Sequence, residues 1–193
     1  ISLIKSSKKN CKKTLVSIFI NPSQFNKKSD LKKYPRNLKK DIEILKKLKV
    51  DYLLTPHVKD IYKDSKSTKI KLNKNDKIMC ALFRPGHFEG VLAVINKFLL
   101  SFKPKIVFLG EKDYQQFLLI DKFVKNKFNI KVFKCRTVRD INKIAFSSRI
   151  ILIKKNDLKK PSYIAKLLLQ IKKKAKSIIL LEKEIRRITK IFN

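Results

Sequence analysis

At 193 residues the chain is long enough to bury a sizeable core, one full domain with part of a second, and no apolar run approaches the ~20 residues of a bilayer span. A membrane-spanning role is excluded, and a soluble cytoplasmic protein is expected. Forty-nine Lys and Arg against 15 Asp and Glu give a net charge of +34, which raises the question of nucleic acid. The lysines cover nearly every polar position, with no confined stripe and no interleaved aromatic platform, so only weak nonspecific attraction to polyanions is expected. Cys11, Cys80 and Cys135 are odd in number and share no metal-ligand spacing, which fits reduced thiols.

Leu15 to Ile20 reads as a strand that ends at Asn21-Pro22, because proline has no ladder donor and restricts the residue before it. Ser23-Gln24-Phe25 follows, so Asn21 and Gln24 are candidates to face a ligand at a strand end; a plain turn explains the same residues. After a polar loop closed by Tyr34-Pro35-Arg36, the spacing of Leu38, Ile42, Leu45 and Leu48 predicts a helix. Asp41 lies off its apolar stripe, either as a metal ligand or as a solvated helix charge. Val50 to Thr55 predicts a second strand, and His57 beside it carries no specific signal. Between Lys63 and Lys77 the chain is polar, with Ile70 and Leu72 alternating as in a short edge strand.

Arg84-Pro85-Gly86-His87 precedes the most regular helix, with Phe88, Val91, Leu92, Ile95, Phe98, Leu99 and Phe102 on one stripe. His87 sits at the helix start, where an anion is favoured and a cationic imidazole disfavoured, which suits a capping, ligand-contacting or purely structural histidine. Ile106 to Leu109 then reads as a buried strand, followed by Gly110-Glu111-Lys112-Asp113-Tyr114-Gln115-Gln116 and by Phe117, Ile120, Phe123 and Val124 at helical spacing. That polar cluster falls in a strand-to-helix turn, the edge at which parallel α/β sheets bind ligands. Gly110 would let the backbone approach a ligand, and Lys112 adds a cation beside free helix N–H groups. A phosphate-binding turn and an ordinary turn with solvated charges both fit this stretch alone. Ile130 to Phe133 makes another strand, and in Ser147-Ser148-Arg149 two hydroxyls and a guanidinium could cradle phosphate oxygens. From Asp157 on, Ile164, Leu167, Leu168, Ile171, Ala175, Ile185, Ile188 and Ile191 fit helices. Alternation of strands and helices from Leu15 to Phe133 predicts an α/β fold with a parallel sheet flanked by helices.

Five clusters in order, S-I-F-I-N-P-S-Q-F at 17 to 25, Y-P-R at 34 to 36, H-F-E-G-V at 87 to 91, G-E-K-D-Y-Q-Q at 110 to 116 and S-S-R at 147 to 149, resemble the pantothenate synthetase (pantoate-beta-alanine ligase) family. The resemblance implies a Rossmann-like nucleotidylyltransferase fold at 1–138, followed at 139–193 by the start of a helical lid domain. It implies a ligase that condenses pantoate with β-alanine through a pantoyl adenylate, using ATP and Mg²⁺, on the route to coenzyme A, and a homodimer. By the same resemblance Asn21, Gln24 and Gln116 are substrate-binding and Asp41 lies near the metal. Gly110, Glu111, Lys112, Asp113, Val138, Phe146, Ser147, Ser148 and Arg149 surround ATP, with Lys112 and Arg149 stabilising phosphoryl charge. The family's H-x-G-H signature falls just before a segment matching Ile1-Ser2-Leu3-Ile4. A fragment truncated at both ends, with little ligase activity of its own, is therefore expected. Departures from the family pattern are Phe146, Ile150, Lys40 and Asn142-Lys143, the last in place of Asp-Gly. A basic RNA-binding or scaffold protein is the alternative.

Overall fold

A computed structural model describes residues 1–25, 28–35, 37–62, 70–153 and 155–174, with Glu182 and Arg186. The chain divides into two compact units, Ile1–Thr137 and Val138–Asn193.

In the first unit the β-branched and aromatic runs form strands β1 (Leu15–Ser17), β2 (Tyr52–Leu54), β3 (Ile106–Gly110) and β4 (Lys131–Cys135). β1 pairs parallel with β2, placing Leu15 opposite Tyr52, and β3 pairs parallel with β4 from Ile106–Lys131 to Gly110–Cys135. Parallel neighbours cannot be joined by a hairpin, and each pair has a crossover helix between its strands. Helix α3 (Leu38–Lys47) lies between β1 and β2, after α1 (Ser2–Asn10) and α2 (Lys28–Lys33). Beyond β2 come α4 (Val58–Tyr62), α5 (Cys80–Phe83) and α6 (His87–Phe102), and α7 (Tyr114–Lys127) joins β3 to β4. The α/β class read from the alternation is thus present. Among the described residues the strands make two separate two-stranded ladders.

The expected edge strand around Ile70 and Leu72 is not formed. Both side chains instead pack on the core made by Val91, Leu92 and Leu99 of α6 with Ile120 and Val124 of α7, which Val107, Leu109 and Val132 close from the strands. Burying each aliphatic side chain there contributes about 1.5–3 kcal/mol, so the α6–α7 seam stabilises this unit substantially. Lys127 reinforces it, donating to the buried Asn96 Oδ1 at 3.0 Å while its ammonium lies 5.6 Å and 5.8 Å from the Phe123 and Phe128 ring centres. α6 ends where Lys103 turns left-handed at φ 42°, immediately before Pro104. α3 begins at Asn37, whose side chain accepts from the Lys40 N–H at 3.1 Å.

In the second unit, 138–146 folds back on itself. Phe146 N–H donates to the Val138 carbonyl at 3.1 Å and Arg139 bridges Ala145 in antiparallel sense. The turn is held by Asp140, whose carboxylate accepts from Ile144 N–H at 2.8 Å, and it contains Lys143 at φ +67°. Short 3₁₀ segments at Ser148–Leu152 and Lys155–Leu158 lead into α8 (Lys159–Lys174), and Ser162 of α8 donates to the Asn142 carbonyl at 3.0 Å. The helices expected around Ala175, Ile185, Ile188 and Ile191 lie outside the described residues, as does Arg36. Among the described residues no helix is long and apolar enough to cross a membrane.

Candidate active site

The end of β1 is locked by one side chain. Asn21 is 1% exposed and its Nδ2 donates to the Gly90 carbonyl of α6 at 3.0 Å. Its Oδ1 caps the 3₁₀ turn Pro22–Gln24 by accepting from Ser23 N–H at 3.2 Å, and it faces the Ser23 and Tyr62 hydroxyls. Such close docking of turn on helix requires glycine at 90. A Cβ there would stand 2.1 Å from Ser23 Oγ and 3.3 Å from the Ser23 carbonyl oxygen. Asn21 therefore spends its polar atoms within the protein, whereas Gln24 is half-buried.

Two side chains meet the last carbonyl of the turn. Arg84 Nη2 donates to Gln24 O at 2.8 Å, and His87 Nδ1 lies 2.8 Å from the same oxygen. A carbonyl can only accept, so His87 carries its proton on Nδ1. Burial pushes the His87 pKa down; the bond to Gln24 and the carboxylates of Asp113 and Glu89 oppose that shift, while Arg84 adds to it. Asp113 is the N-cap residue of α7, and its carboxylate acts electrostatically on His87 at the start of α6. Phe25 packs edge-on against Tyr34, 5.6 Å between ring centres, tying the 34–35 loop to the same turn.

At the end of β3 the cluster separates into inward and outward residues. Glu111 N–H continues the ladder to the Cys135 carbonyl at 2.9 Å, and its carboxylate accepts from Thr137 N–H at 3.1 Å while lying 3.8 Å from the Lys134 ammonium. Gln115 spans to the segment before α5: its Oε1 accepts from Cys80 N–H at 3.0 Å and its Nε2 donates to the Ile78 carbonyl at 2.7 Å. This clamp brackets Met79, held at φ +50°. Lys112 and Asp113 are exposed and Gln116 is half-buried. Gly110 meets no crowding beyond a Leu3 methyl 3.9 Å from where its Cβ would be.

In the second unit Ser147 caps the first 3₁₀ segment, its Oγ accepting from Arg149 N–H at 3.2 Å; Phe146, Ser148 and Arg149 are exposed, as is Val138. Asp41 is an exposed residue in the first turn of α3, and among the described residues no three His, Cys, Asp or Glu side chains are grouped to hold a metal ion. His57 is exposed, and its N–H is capped by Asp60 at 2.8 Å.

The family model described as pantoate-beta-alanine ligase matches residues 1–192. The chain belongs to the pantoate-beta-alanine ligase family. It is 45% identical over 151 residues to the pantothenate synthetase of Francisella tularensis subsp. novicida, covering 77% of this chain and 58% of that protein. It is 37% identical over 169 residues to that of Thermodesulfovibrio yellowstonii, covering 87% and 60%. The chain thus spans less than two thirds of the length of these relatives. The solved pantoate-beta-alanine ligase of Francisella tularensis, complexed with beta-gamma ATP and beta-alanine, superposes with a TM-score of 0.81 at 41% identity, over 86% of this chain and 65% of that one. The pantothenate synthetase of Thermus thermophilus superposes at 0.86 and 28% identity, over 97% and 71%.

Within the pantoate-beta-alanine ligase framework, sequence reading missed three residues. Tyr62 and Gly90 anchor the turn that carries Gln24, and Gln115 ties the 110–116 cluster to Ile78 and Cys80. Tyr62 gave no signal, lying just before a featureless polar stretch. Gln115 and Gln116 were distinguishable in principle, since neighbouring helix positions do not face the same way and only one of the pair can meet a given ligand.

Proposed function

We propose that this chain supplies pantoate- and nucleotide-binding machinery for the ATP-dependent condensation of pantoate with β-alanine to pantothenate. The match to the family model over residues 1–192 carries the reading. In the first step the pantoate carboxylate, already anionic and nucleophilic at neutral pH, attacks the α-phosphorus of ATP, and pyrophosphate leaves. In the second the β-alanine amine attacks the carbonyl of the pantoyl adenylate, and AMP leaves. Gln24 and Gln116 supply neutral donors and acceptors for the hydroxyls and carboxylate of pantoate, and Gln24 also serves the β-alanine position. Lys112 and Arg149 neutralise the charge that grows on the phosphoryl oxygens. Gly110 and Asp113, with the Val138 backbone and Phe146 to Ser148, keep the nucleotide-binding roles that the resemblance gives them.

The hydrogen bonds of Asn21 and Glu111 support positioning work, the first for the Gln24 turn and the second for the exit from β4. Mg²⁺ would add Lewis-acid stabilisation at the phosphates. Asp41, which the resemblance places near the metal, is exposed, and with no group of three His, Cys, Asp or Glu among the described residues the donor set would suit an ion that arrives on ATP and keeps most of its waters. A cytoplasmic homodimer completes the reading.

Calorimetric titration of the chain with pantoate tests it. Gln24→Ala and Gln116→Ala should each weaken binding about 10-fold or more, the loss of ~1.5–3 kcal/mol for hydrogen bonds to a charged ligand. Absence of pantoate binding, or affinity indifferent to both substitutions, would overturn the proposal. Steeply salt-dependent, saturable RNA binding that survives Lys112→Ala and Gln116→Ala would instead mark the basic-scaffold alternative.

A further inference from the structure

We infer that Arg84 and His87 are positioning residues for the acid-binding site, acting through the main-chain carbonyl of Gln24; this rests on the pantoate reading above. A three-residue 3₁₀ turn leaves its last carbonyls without helical partners. Gln24 N–H is satisfied by the Asn21 carbonyl at 3.2 Å, and Phe25 N–H reaches back to Pro22 O at 3.1 Å. Gln24 O is met by two side chains, Arg84 from the segment before α6 and His87 from its first residue, both at 2.8 Å.

Their convergence is built into the local backbone. Gly86 adopts φ +79°, a left-handed conformation that glycine alone takes without strain, and the chain closes so that His87 N–H donates to Arg84 O at 3.2 Å. Residues 84 and 87 are thereby brought to one oxygen. Among the described residues no carboxylate is ion-paired with Arg84, so its charge strengthens the bond to the carbonyl, and charge-assisted bonds are roughly twice as strong as neutral ones. The buried His87 ring supplies the second donor. With its N–H, its C=O and the preceding Asn21 cap all fixed, the peptide of residue 24 has little freedom, and its side chain departs from a set origin. Neither Arg84 nor His87 needs to touch pantoate for its loss to be felt there.

The test is calorimetry with two probes, pantoate and a β,γ-nonhydrolysable ATP analogue, on the unsubstituted chain, Arg84→Met, His87→Leu and His87→Asn. Arg84→Met and His87→Leu should each weaken pantoate about 10-fold, about 1.4 kcal/mol, and leave the nucleotide within about twofold. In His87→Asn the amide nitrogen stands where Nδ1 stood, and pantoate affinity should return to within about twofold of the parent. The half-buried Arg84 tolerates truncation better than the buried His87, so Arg84→Met carries the test if His87→Leu does not fold. Equal losses for pantoate and nucleotide, or no recovery in His87→Asn, would overturn the inference. Failure of the unsubstituted chain to bind pantoate would overturn the functional reading beneath it, a result visible before any variant is made.

Discussion

Gly90→Ala separates the packing account of the site from ordinary helix propensity. Alanine is favoured over glycine in a helix interior by about 1 kcal/mol, so propensity alone makes the substitution stabilising. Docking of the Pro22–Gln24 turn reverses the sign. The new methyl would stand 2.1 Å from Ser23 Oγ, 3.0 Å from its Cβ and 3.3 Å from its carbonyl oxygen. Swinging Oγ aside disrupts its contacts with Asn21 Oδ1 and the Tyr62 hydroxyl, at 3.0 Å and 2.8 Å. Those losses cost about 1 kcal/mol each, and the residual crowding adds about 1–3 kcal/mol of overpacking, for a net destabilisation of about 2–4 kcal/mol. Urea unfolding of Gly90→Ala, Ser23→Ala and the double variant reads the effect directly. Because Ser23→Ala removes the atom nearest the methyl, the double variant should be less destabilised than the sum of the singles by at least about 1 kcal/mol. A Gly90→Ala chain as stable as its parent, or strict additivity in the cycle, would refute the close-docking argument.

Lys143→Gly should stabilise the chain, since a non-glycine residue at φ +67° costs roughly 1–2 kcal/mol and the greater flexibility of unfolded glycine returns only part of it; thermal unfolding should show the gain, and a loss would count against a strained turn. Gln115→Ala should lower stability by about 1–3 kcal/mol as Cys80 N–H and Ile78 O lose their partners, whereas Gln116→Ala should leave the unfolding midpoint in place and act on pantoate affinity. Glu111→Ala removes the acceptor of Thr137 N–H, and faster amide exchange at Thr137 should follow, with Glu111→Gln largely preserving protection. For His87 the folded pKa lies below the unfolded value of about 6.5, so the unfolded chain takes up the proton first. The stability tied to the neutral ring is complete above that value and is lost as pH falls below it, toward the folded pKa. Denaturation from pH ~8 to ~5.5 should show a fall that His87→Asn removes, and a rise on acidification would contradict the buried neutral histidine.

The elements easiest to read were those in which burial imposes a strict repeat. Phe88, Val91, Leu92 and Leu99 recur on one face because α6 packs on α7 over most of its length, and α6 spans His87–Phe102 as that spacing predicts. Turn clusters were locatable too, since Asn21-Pro22 and Gly110 interrupt apolar strands. α1 went unread because lysines and serines dilute its apolar face, and it is held by packing on β3 and β4 and by the Ser7–Thr14 hydroxyl pair. The Ile70 and Leu72 alternation misled for the opposite reason: two half-buried side chains on an irregular segment imitate a strand. What sequence does not carry is partnership at a distance. Asn21 and Gly90 are 69 residues apart, and nothing near either names the other. The significance of Lys143 was visible only as a departure from family glycine; its left-handed backbone gives that departure a physical cost.

The anchoring of position 24 has a consequence for altering selectivity. Arg84 and His87 grip an atom that every amino acid possesses, and the Asn21 cap acts on its neighbours, so the scaffold is blind to which side chain residue 24 carries. Chemical identity at 24 can be exchanged while the spatial frame is retained. On the proposed pantoate reading, a small library there, varied in length and polarity on an unchanged backbone, should change which hydroxy acid is bound.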